Sequence, residues 1–205
     1  MVGGKVGRFR RFLQTVRSIA LTKTKFEIQE ITLNFGPSKH LTRFQQIEFF
    51  CLDTNPFAPE FAGSVNAQVA AQDSTRQLRW LDSVLTASRA TWKIVVGHHP
   101  IFSTGHHGDT PKVKERILPI LKKHRVPVYF CGHDHDLQHL RVDGVDFVVT
   151  GAAGQTRNSP RPADGLFRET MKAGFVSVSI GLDSLHCRYF DGAGNLLYRF
   201  ARGRR

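Results

Sequence analysis

Apolar positions along the chain follow two different periods. Short strand-like patterns cover residues 28–35, 45–52, 92–96 and 126–131. Between them, residues 74–89 and a segment that begins at Thr110 and Pro111 carry apolar side chains at every third or fourth position, which is typical of amphipathic helices. Alternating strands and helices of this kind predict an α/β fold.

Beyond residue 131 the pattern predicts strands only. Residues 146–150, 175–180, 184–190 and 196–200 each have a strand-like pattern. A Gly- and Asn-containing stretch at residues 191–195 predicts a hairpin loop between the last two. The chain therefore predicts an α/β sandwich whose sheets are closed by a β-rich C-terminal portion.

Two of the predicted strands end in glycine followed by histidine. Gly97-His98-His99 follows residues 92–96, and Gly132-His133-Asp134-His135 follows residues 126–131. In α/β folds the loops beyond the carboxyl ends of strands form the usual ligand crevice, and imidazole is the commonest metal ligand among side chains. The two motifs therefore predict a metal site at one edge of the sheet.

Six stretches in a fixed order extend the pattern around the two histidine motifs. They are Phe50-Cys51-Leu52-Asp53-Thr54, Gln77-Leu78-Arg79-Trp80-Leu81, Val96-Gly97-His98-His99-Pro100-Ile101-Phe102-Ser103, His107-Gly108, Leu118-Pro119-Ile120-Leu121 and Cys131-Gly132-His133-Asp134-His135-Asp136-Leu137-Gln138. In this order they resemble the purple (tartrate-resistant) acid phosphatases of the calcineurin-like metallophosphoesterase superfamily. The resemblance covers roughly residues 45–155 and implies an α/β fold, the C-terminal half of a four-layer αββα metallophosphoesterase sandwich.

The resemblance implies a dinuclear metal centre that hydrolyses phosphate monoesters. The metals it implies are Fe(III) beside Fe(II), Zn(II) or Mn(II), whose charge makes a bound water a usable nucleophile and clamps the phosphate oxygens. Carried over by motif, His98 and His133 bind the divalent ion and His135 binds the ferric ion. His107 matches a histidine that contacts the phosphate, where it would neutralise substrate charge or protonate the leaving alkoxide.

Other polar residues near these motifs have simpler interpretations. His99 is expected to pack or to support a ligand, and His106 is expected to lie in an exposed loop. Asp134 would point away from its two histidine neighbours on an extended backbone, so it is not expected to bind metal. Asp53 matches a structural position of the family and is left out of the predicted site.

The ligands of the family's N-terminal half are missing from this sequence. That half supplies two Gly-Asp segments, one with the bridging carboxylate, an Asn-His pair and a tyrosine, whereas residues 1–50 contain no Asp and Asn34 is followed by Phe35. Three explanations stay open: a phosphatase chain that lacks its N-terminal part, a catalytically inactive relative, or a basic module that binds nucleic acid or another anionic partner. The first is preferred because a basic sequence without a regular period gives way abruptly to a pattern like that of the family around residues 28–45.

The net charge of +12 is concentrated at the two ends of the chain. We expect a basic, poorly ordered segment at residues 1–27, the metallophosphoesterase domain at residues 28–200 and a basic tail at residues 201–205. No recognition motif accompanies the charge, which favours solvated tails over a nucleic-acid partner.

Partners and compartment are less constrained by the sequence. The expected substrate is a phosphate monoester, and an exposed sheet edge predicts self-association. No apolar stretch reaches membrane-spanning length and no signal peptide is recognisable, although the resembling family is usually secreted, periplasmic or lysosomal.

Overall fold

Six strands form the first sheet in the computed structural model, which describes residues 47–58, 69 and 72–204. The strand order is β1-β2-β3-β5-β4-β6. The first four in that order run parallel, and β4 pairs antiparallel with β5 and with β6. Their bounds are β1 Ile47–Cys51, β2 Trp92–Val96, β3 Val128–Cys131, β4 Leu137–Val142, β5 Val145–Thr150 and β6 Phe167–Glu169.

Two α-helices connect the parallel strands and cover one face of this sheet. Helix α1 (Ser74–Ala87) begins where Asp73 accepts a hydrogen bond from the Arg76 backbone N–H at 2.8 Å. Helix α2 (Pro111–Lys123) begins with proline in its first turn, as Thr110 and Pro111 predict. The buried faces of both helices pack on the same side of the sheet, through Leu81, Leu85, Val113, Ile117 and Leu121.

A second sheet covers the opposite face. It is an antiparallel meander of β7 (Gly174–Ile180), β8 (Ser184–Asp191) and β9 (Leu196–Gly203). Three side chains of β8 point toward the first sheet: Leu185, Cys187 and Tyr189. They pack against side chains of β2, β3 and β5 on the face away from the helices, namely Trp92, Ile94, Val128 and Val148. The described residues thus form three layers, helices, sheet and sheet, and the predicted α/β class is confirmed.

A buried carboxylate joins the two sheets. Asp146 on β5 accepts hydrogen bonds from His139 and Arg141 on β4, and from Arg202 Nη1 on β9 at 2.7 Å. Burial raises the pKa of Asp146, but the three donors outweigh it and hold that pKa below its usual range. The ionised carboxylate is therefore part of the contact between the sheets.

Two strands were not predicted, and both lie at one end of the first sheet. Strand β4 buries the polar side chains of Gln138 and His139, which interrupt the apolar pattern that indicates a strand. Strand β6 is only three residues long. Pro119 lies inside α2 without ending it. The predictions for residues 1–27 and 28–35 lie outside the described residues.

One prediction about partners stays open. Self-association through a sheet edge remains a prediction, because β1 lies at an end of the strand order among the described residues. No helix in the described part of the chain is long and apolar enough to cross a membrane.

Candidate metal and phosphate site

Parallel pairing of β2 with β3 places the two glycine–histidine turns side by side. The Gly97 N–H donates to the Phe130 carbonyl at 3.0 Å, and the Gly132 N–H donates to the His98 carbonyl at 3.0 Å. These two hydrogen bonds continue the contact between the strands past their last ladder pair. The backbone therefore fixes one histidine turn against the other.

Three imidazoles converge at these turns. His98 Nε2 and His133 Nδ1 lie 3.3 Å apart, and His99 offers a third nitrogen, with all three ligand atoms within 4.8 Å of one another. Two nitrogens on one tetrahedral zinc-like ion, each bonded at roughly 2.0–2.1 Å, are separated by about 3.3 Å. The His98–His133 pair thus has the spacing of two ligands to a single ion.

His99 is fully buried and tied to the end of β1. Its backbone N–H donates to Thr54 Oγ1 at 3.0 Å, and its Nδ1 shares a second hydrogen bond with that hydroxyl at 2.7 Å. Burial, followed by the neighbouring His133, His98 and His107, lowers the pKa of His99 to about 3. His99 is therefore neutral at ordinary pH, and it offers one ring nitrogen to the group that could hold an ion.

The turn before His98 requires glycine for steric reasons. A Cβ at position 97 would lie 2.3 Å from the Tyr129 hydroxyl and 2.8 Å from Thr54 Cγ2. Tyr129 is fully buried and donates its hydroxyl to the His99 carbonyl at 2.9 Å. Close packing of Gly97 on Tyr129 therefore sets where the histidines of this turn lie.

His133 has a left-handed backbone, with φ of 65°. Few residues other than glycine adopt this region, and such conformations cluster at functional sites. The conformation turns the chain sharply directly after Gly132, so that the Asp134 N–H donates to the Gly132 carbonyl at 2.8 Å. It directs successive side chains of the motif to different surroundings.

Asp134 anchors the loop that carries His107. Its Oδ1 accepts from the His107 backbone N–H at 2.7 Å, and its Oδ2 accepts from the Ser103 hydroxyl. A Cβ at Gly105 would lie 2.4 Å from Asp134 Cγ, so the loop passes directly over the carboxylate. Asp134 is not one of the three side chains in the histidine group, and its hydrogen bonds hold the loop.

The His107 ring lies beside the imidazole cluster. Its centroid is 4.4 Å from that of His133, and the side chain is exposed. Arg157 Nη1 donates to His107 Nε2 at 3.3 Å. His106, by contrast, is exposed in the same loop as predicted, and it stacks edge-on against His107.

His135 lies apart from the three converging imidazoles. Its Nδ1 is buried with no hydrogen-bond partner in the described part of the chain, as a metal-ligating nitrogen would be without its ion. Its carbonyl accepts from the Arg157 N–H at 3.0 Å. Among residues 47–58, 69 and 72–204, the one group of three or more side chains able to share an ion is His98, His99 and His133.

These donors fit one ion better than two. Three neutral imidazoles are a common donor set for a divalent transition metal. A second, ferric ion would need carboxylate ligands beside His135, and the described residues bring none into the group. Within the described residues, the converging donors are those of one ion, and the carboxylates that a second ion would need are not part of this group.

Several residues that support the site were given no role in it by the sequence analysis. Thr54, Tyr129 and Ser103 act through contacts 30 to 45 residues away along the chain. Asp53 was left out of the predicted site; its carboxylate accepts a hydrogen bond from the Asn55 N–H at 3.0 Å, and its backbone bonds the Gln77 amide twice. Only the three-dimensional structure brings these groups together.

Known acid phosphatases are similar to this chain in sequence. Purple acid phosphatase 7 of Arabidopsis thaliana is 34% identical over an alignment of 173 residues that covers 78% of this chain and 52% of that protein. Tartrate-resistant acid phosphatase type 5 of Rattus norvegicus is 33% identical over 139 residues, 63% and 42% of the two chains. This chain thus spans about half the length of the curated relatives it matches.

Fold and family model give the same assignment. The purple acid phosphatase PPD1 from yellow lupin (Lupinus luteus) seeds superposes with a TM-score of 0.63 at 16% identity, over 83% of this chain and 34% of that one, which shows a shared fold. The family model for calcineurin-like phosphoesterases matches residues 6–137, more than half of the chain. With its histidine turns at adjacent strand ends, the chain belongs to the calcineurin-like phosphoesterase family.

Proposed function

We propose that this protein is a metal-dependent phosphatase of the acid phosphatase type that hydrolyses phosphate monoesters. The observation that carries the proposal is the 3.3 Å separation of His98 Nε2 and His133 Nδ1, with the His107 ring next to His133. A divalent ion held there supplies Lewis-acid chemistry, which polarises phosphate oxygens and lowers the pKa of a bound water. The curated relatives named as acid phosphatases support the same activity.

Each residue of the site has a defined task in this proposal. His98, His133 and His99 hold the ion through neutral imidazole nitrogens, with Thr54 orienting His99. His107 contacts the phosphate and delivers a proton to the leaving alkoxide, while Asp134 fixes its backbone. His135, whose Nδ1 is buried, remains the proposed ligand of a second ion, and a pair of Fe(III) with Fe(II), Zn(II) or Mn(II) remains a prediction.

The test combines metal binding with hydrolysis in the full 205-residue chain. We expect zinc or manganese to bind and to support hydrolysis of p-nitrophenyl phosphate at mildly acidic pH. His133→Ala removes a ligand and should lower metal affinity by at least about a hundredfold, measured by calorimetry, and abolish hydrolysis. His186→Ala is the matched control, because that imidazole is exposed on β8 and bonds only the neighbouring Ser184 hydroxyl among the described residues.

A second candidate function is that of an inactive relative that binds metal. It is favoured by the absence of Asp from residues 1–50 and of a carboxylate from the described ligand group. Stoichiometric metal binding that depends on His133, without hydrolysis, would support this candidate. Hydrolysis that survives His133→Ala would contradict both candidates.

A further inference from the structure

Two arginines flank the proposed phosphate-contacting histidine. Arg157 Nη1 donates to His107 Nε2 at 3.3 Å, and Arg161 Nη2 donates to the His107 carbonyl at 3.4 Å. Both side chains are exposed, and within the described residues neither forms an ion pair with a carboxylate. Two uncompensated guanidinium groups thus lie at the exposed side of His107.

Contacts between two loops fix this arrangement. The first loop, residues 103–109, carries His107, and the second, residues 155–162, carries both arginines. The Ser159 hydroxyl donates to the Thr104 carbonyl at 2.8 Å, and Arg168 Nη1 donates to the same carbonyl at 2.9 Å and to the Arg161 carbonyl at 2.9 Å. The second loop is therefore bound along its length to the first.

Each arginine also has a fixed neighbour of its own. The Arg157 N–H donates to the His135 carbonyl at 3.0 Å, which ties its backbone to the histidine motif. The Arg161 guanidinium packs on Gly108, where an added Cβ would lie 2.8 Å from Cζ. Gly108 has φ of +76°, so the chain turns there in a conformation that leaves room for the guanidinium. These contacts hold the backbone of Arg157 and the guanidinium of Arg161 beside the loop that carries His107.

We infer that Arg157 and Arg161 form a subsite for a second phosphate group, so that the preferred substrates carry another phosphate close to the one that is cleaved. The inference rests on the proposed function for the cleavage itself. Guanidinium groups bind phosphate through paired, charge-assisted hydrogen bonds, and two of them beside His107 exceed what one monoester phosphate needs. The preferred substrates are therefore phosphorylated compounds with a second phosphate beside the one that is cleaved, and simple monoesters are substrates with a higher KM.

The experiment compares two substrates in the full chain. p-Nitrophenyl phosphate carries one phosphate, and inorganic pyrophosphate carries a second beside it. Arg157→Gln and Arg161→Gln should each raise KM for pyrophosphate by about tenfold, the size of one exposed charge-assisted hydrogen bond, and should raise KM for p-nitrophenyl phosphate by a clearly smaller factor. Disturbance of His107 alone would affect both substrates equally, and an equal effect would overturn the inference.

Two variants separate specific contact from net charge. Arg188→Gln removes the same charge from the outer face of β8 and should leave both KM values unchanged. Arg157→Lys keeps the charge but loses the planar donor pair, and should retain only part of the pyrophosphate preference. A fall in pyrophosphate affinity that Arg188→Gln reproduces would show a general charge effect and contradict the subsite.

Ligand binding tests the subsite separately from catalysis. Methylenediphosphonate, which is not hydrolysed, should bind the chelator-treated full chain at least about tenfold more tightly than inorganic phosphate, and Arg157→Gln should remove that difference. If the chain proves inactive but this difference is present, the proposed function fails and the subsite stands. Equal affinity for the two anions in the unmodified chain would overturn the subsite whatever the activity.

Discussion

At the scale of single residues, the site depends on glycines that leave space for neighbouring side chains. Gly97 lies against the Tyr129 hydroxyl, and Gly105 lies against the Asp134 carboxylate. In both cases the neighbour bonds the turn or loop that carries a candidate functional histidine. The absence of a side chain at these two glycines therefore helps to set the positions of the candidate functional histidines.

Gly97→Ala should destabilise the protein by about 1–3 kcal/mol, because an added methyl group in a packed interior forces its neighbours to move. Tyr129→Phe removes the atom that is nearest to the new methyl group, at the cost of about 1 kcal/mol for its hydrogen bond to the His99 carbonyl. The loss of unfolding free energy in the double variant, measured by urea unfolding, should be smaller than the sum of the losses in the two single variants. Strict additivity would show that position 97 does not press on Tyr129.

The sequence predicts the histidines of the site better than it predicts their supports. His98 and His133 follow glycines at the ends of apolar runs, so strand pattern and motif agree. Arg157 lies in a stretch without periodicity, and its contact with His107 joins residues 50 positions apart. No local pattern encodes such a contact, which arises because loops after β2 and β5 meet at one edge of the sheet.

At the scale of elements, the loop after β2 is held by the turn after β3. The buried Asp134 carboxylate accepts from the Ser103 hydroxyl and the His107 N–H, so one side chain fixes a loop that comes from another strand. Helix α1 and strand β2 were predictable because their apolar periods are strong. Strand β4 was not, because Gln138 and His139 satisfy their polar groups inside the fold.

Asp134→Ala should release this loop. It leaves a buried hydroxyl and an N–H without their acceptor, which costs about 1–3 kcal/mol. We expect faster amide hydrogen exchange at His107 and lower kcat on p-nitrophenyl phosphate. Asp109→Ala is the control, because that exposed carboxylate also bonds the Ser103 N–H but does not contact His107. Equal loss of activity in the two variants would contradict the anchoring role of Asp134.

At the scale of the whole molecule, the two sheets meet through an ion network as well as through apolar packing. Asp146 accepts from His139 and Arg141 on a neighbouring strand and from Arg202 on the second sheet. Removal of one partner from a buried network leaves the others uncompensated. The stability of the three-layer arrangement is therefore sensitive to the charge of one carboxylate.

Acid should weaken the protein through Asp146. Its pKa is lowered in the folded state, so its stabilisation is complete above about pH 4, the ordinary range for an unfolded aspartate, and is lost as the pH falls below that value. Asp146→Asn should lower the free energy of unfolding by about 3 kcal/mol at pH 7. Its stability should also decline less steeply toward pH 3 than that of the unmodified chain.

Guanidinium unfolding at a series of pH values measures both effects. Asp82 and Asp191 also have lowered pKa values, so the comparison that matters is the difference between Asp146→Asn and the unmodified chain. Asp164→Asn, an exposed position, should leave the profile unchanged. Parallel profiles for Asp146→Asn and the unmodified chain would show that Asp146 does not set the acid response.

The hydrogen bonds around the histidine turns bear on whether the motif can be transplanted. Gly-His-Asp-His is a short string of sequence, but its turn is bonded to His98, and His99 beside it is bonded to Thr54. His135 is bonded in turn to Arg157. A host scaffold would have to provide all of these partners at once, on loops from separate strands. The geometry of the motif therefore depends on residues outside it. Grafting Gly-His-Asp-His alone onto the end of another strand would transfer the four residues without their geometry.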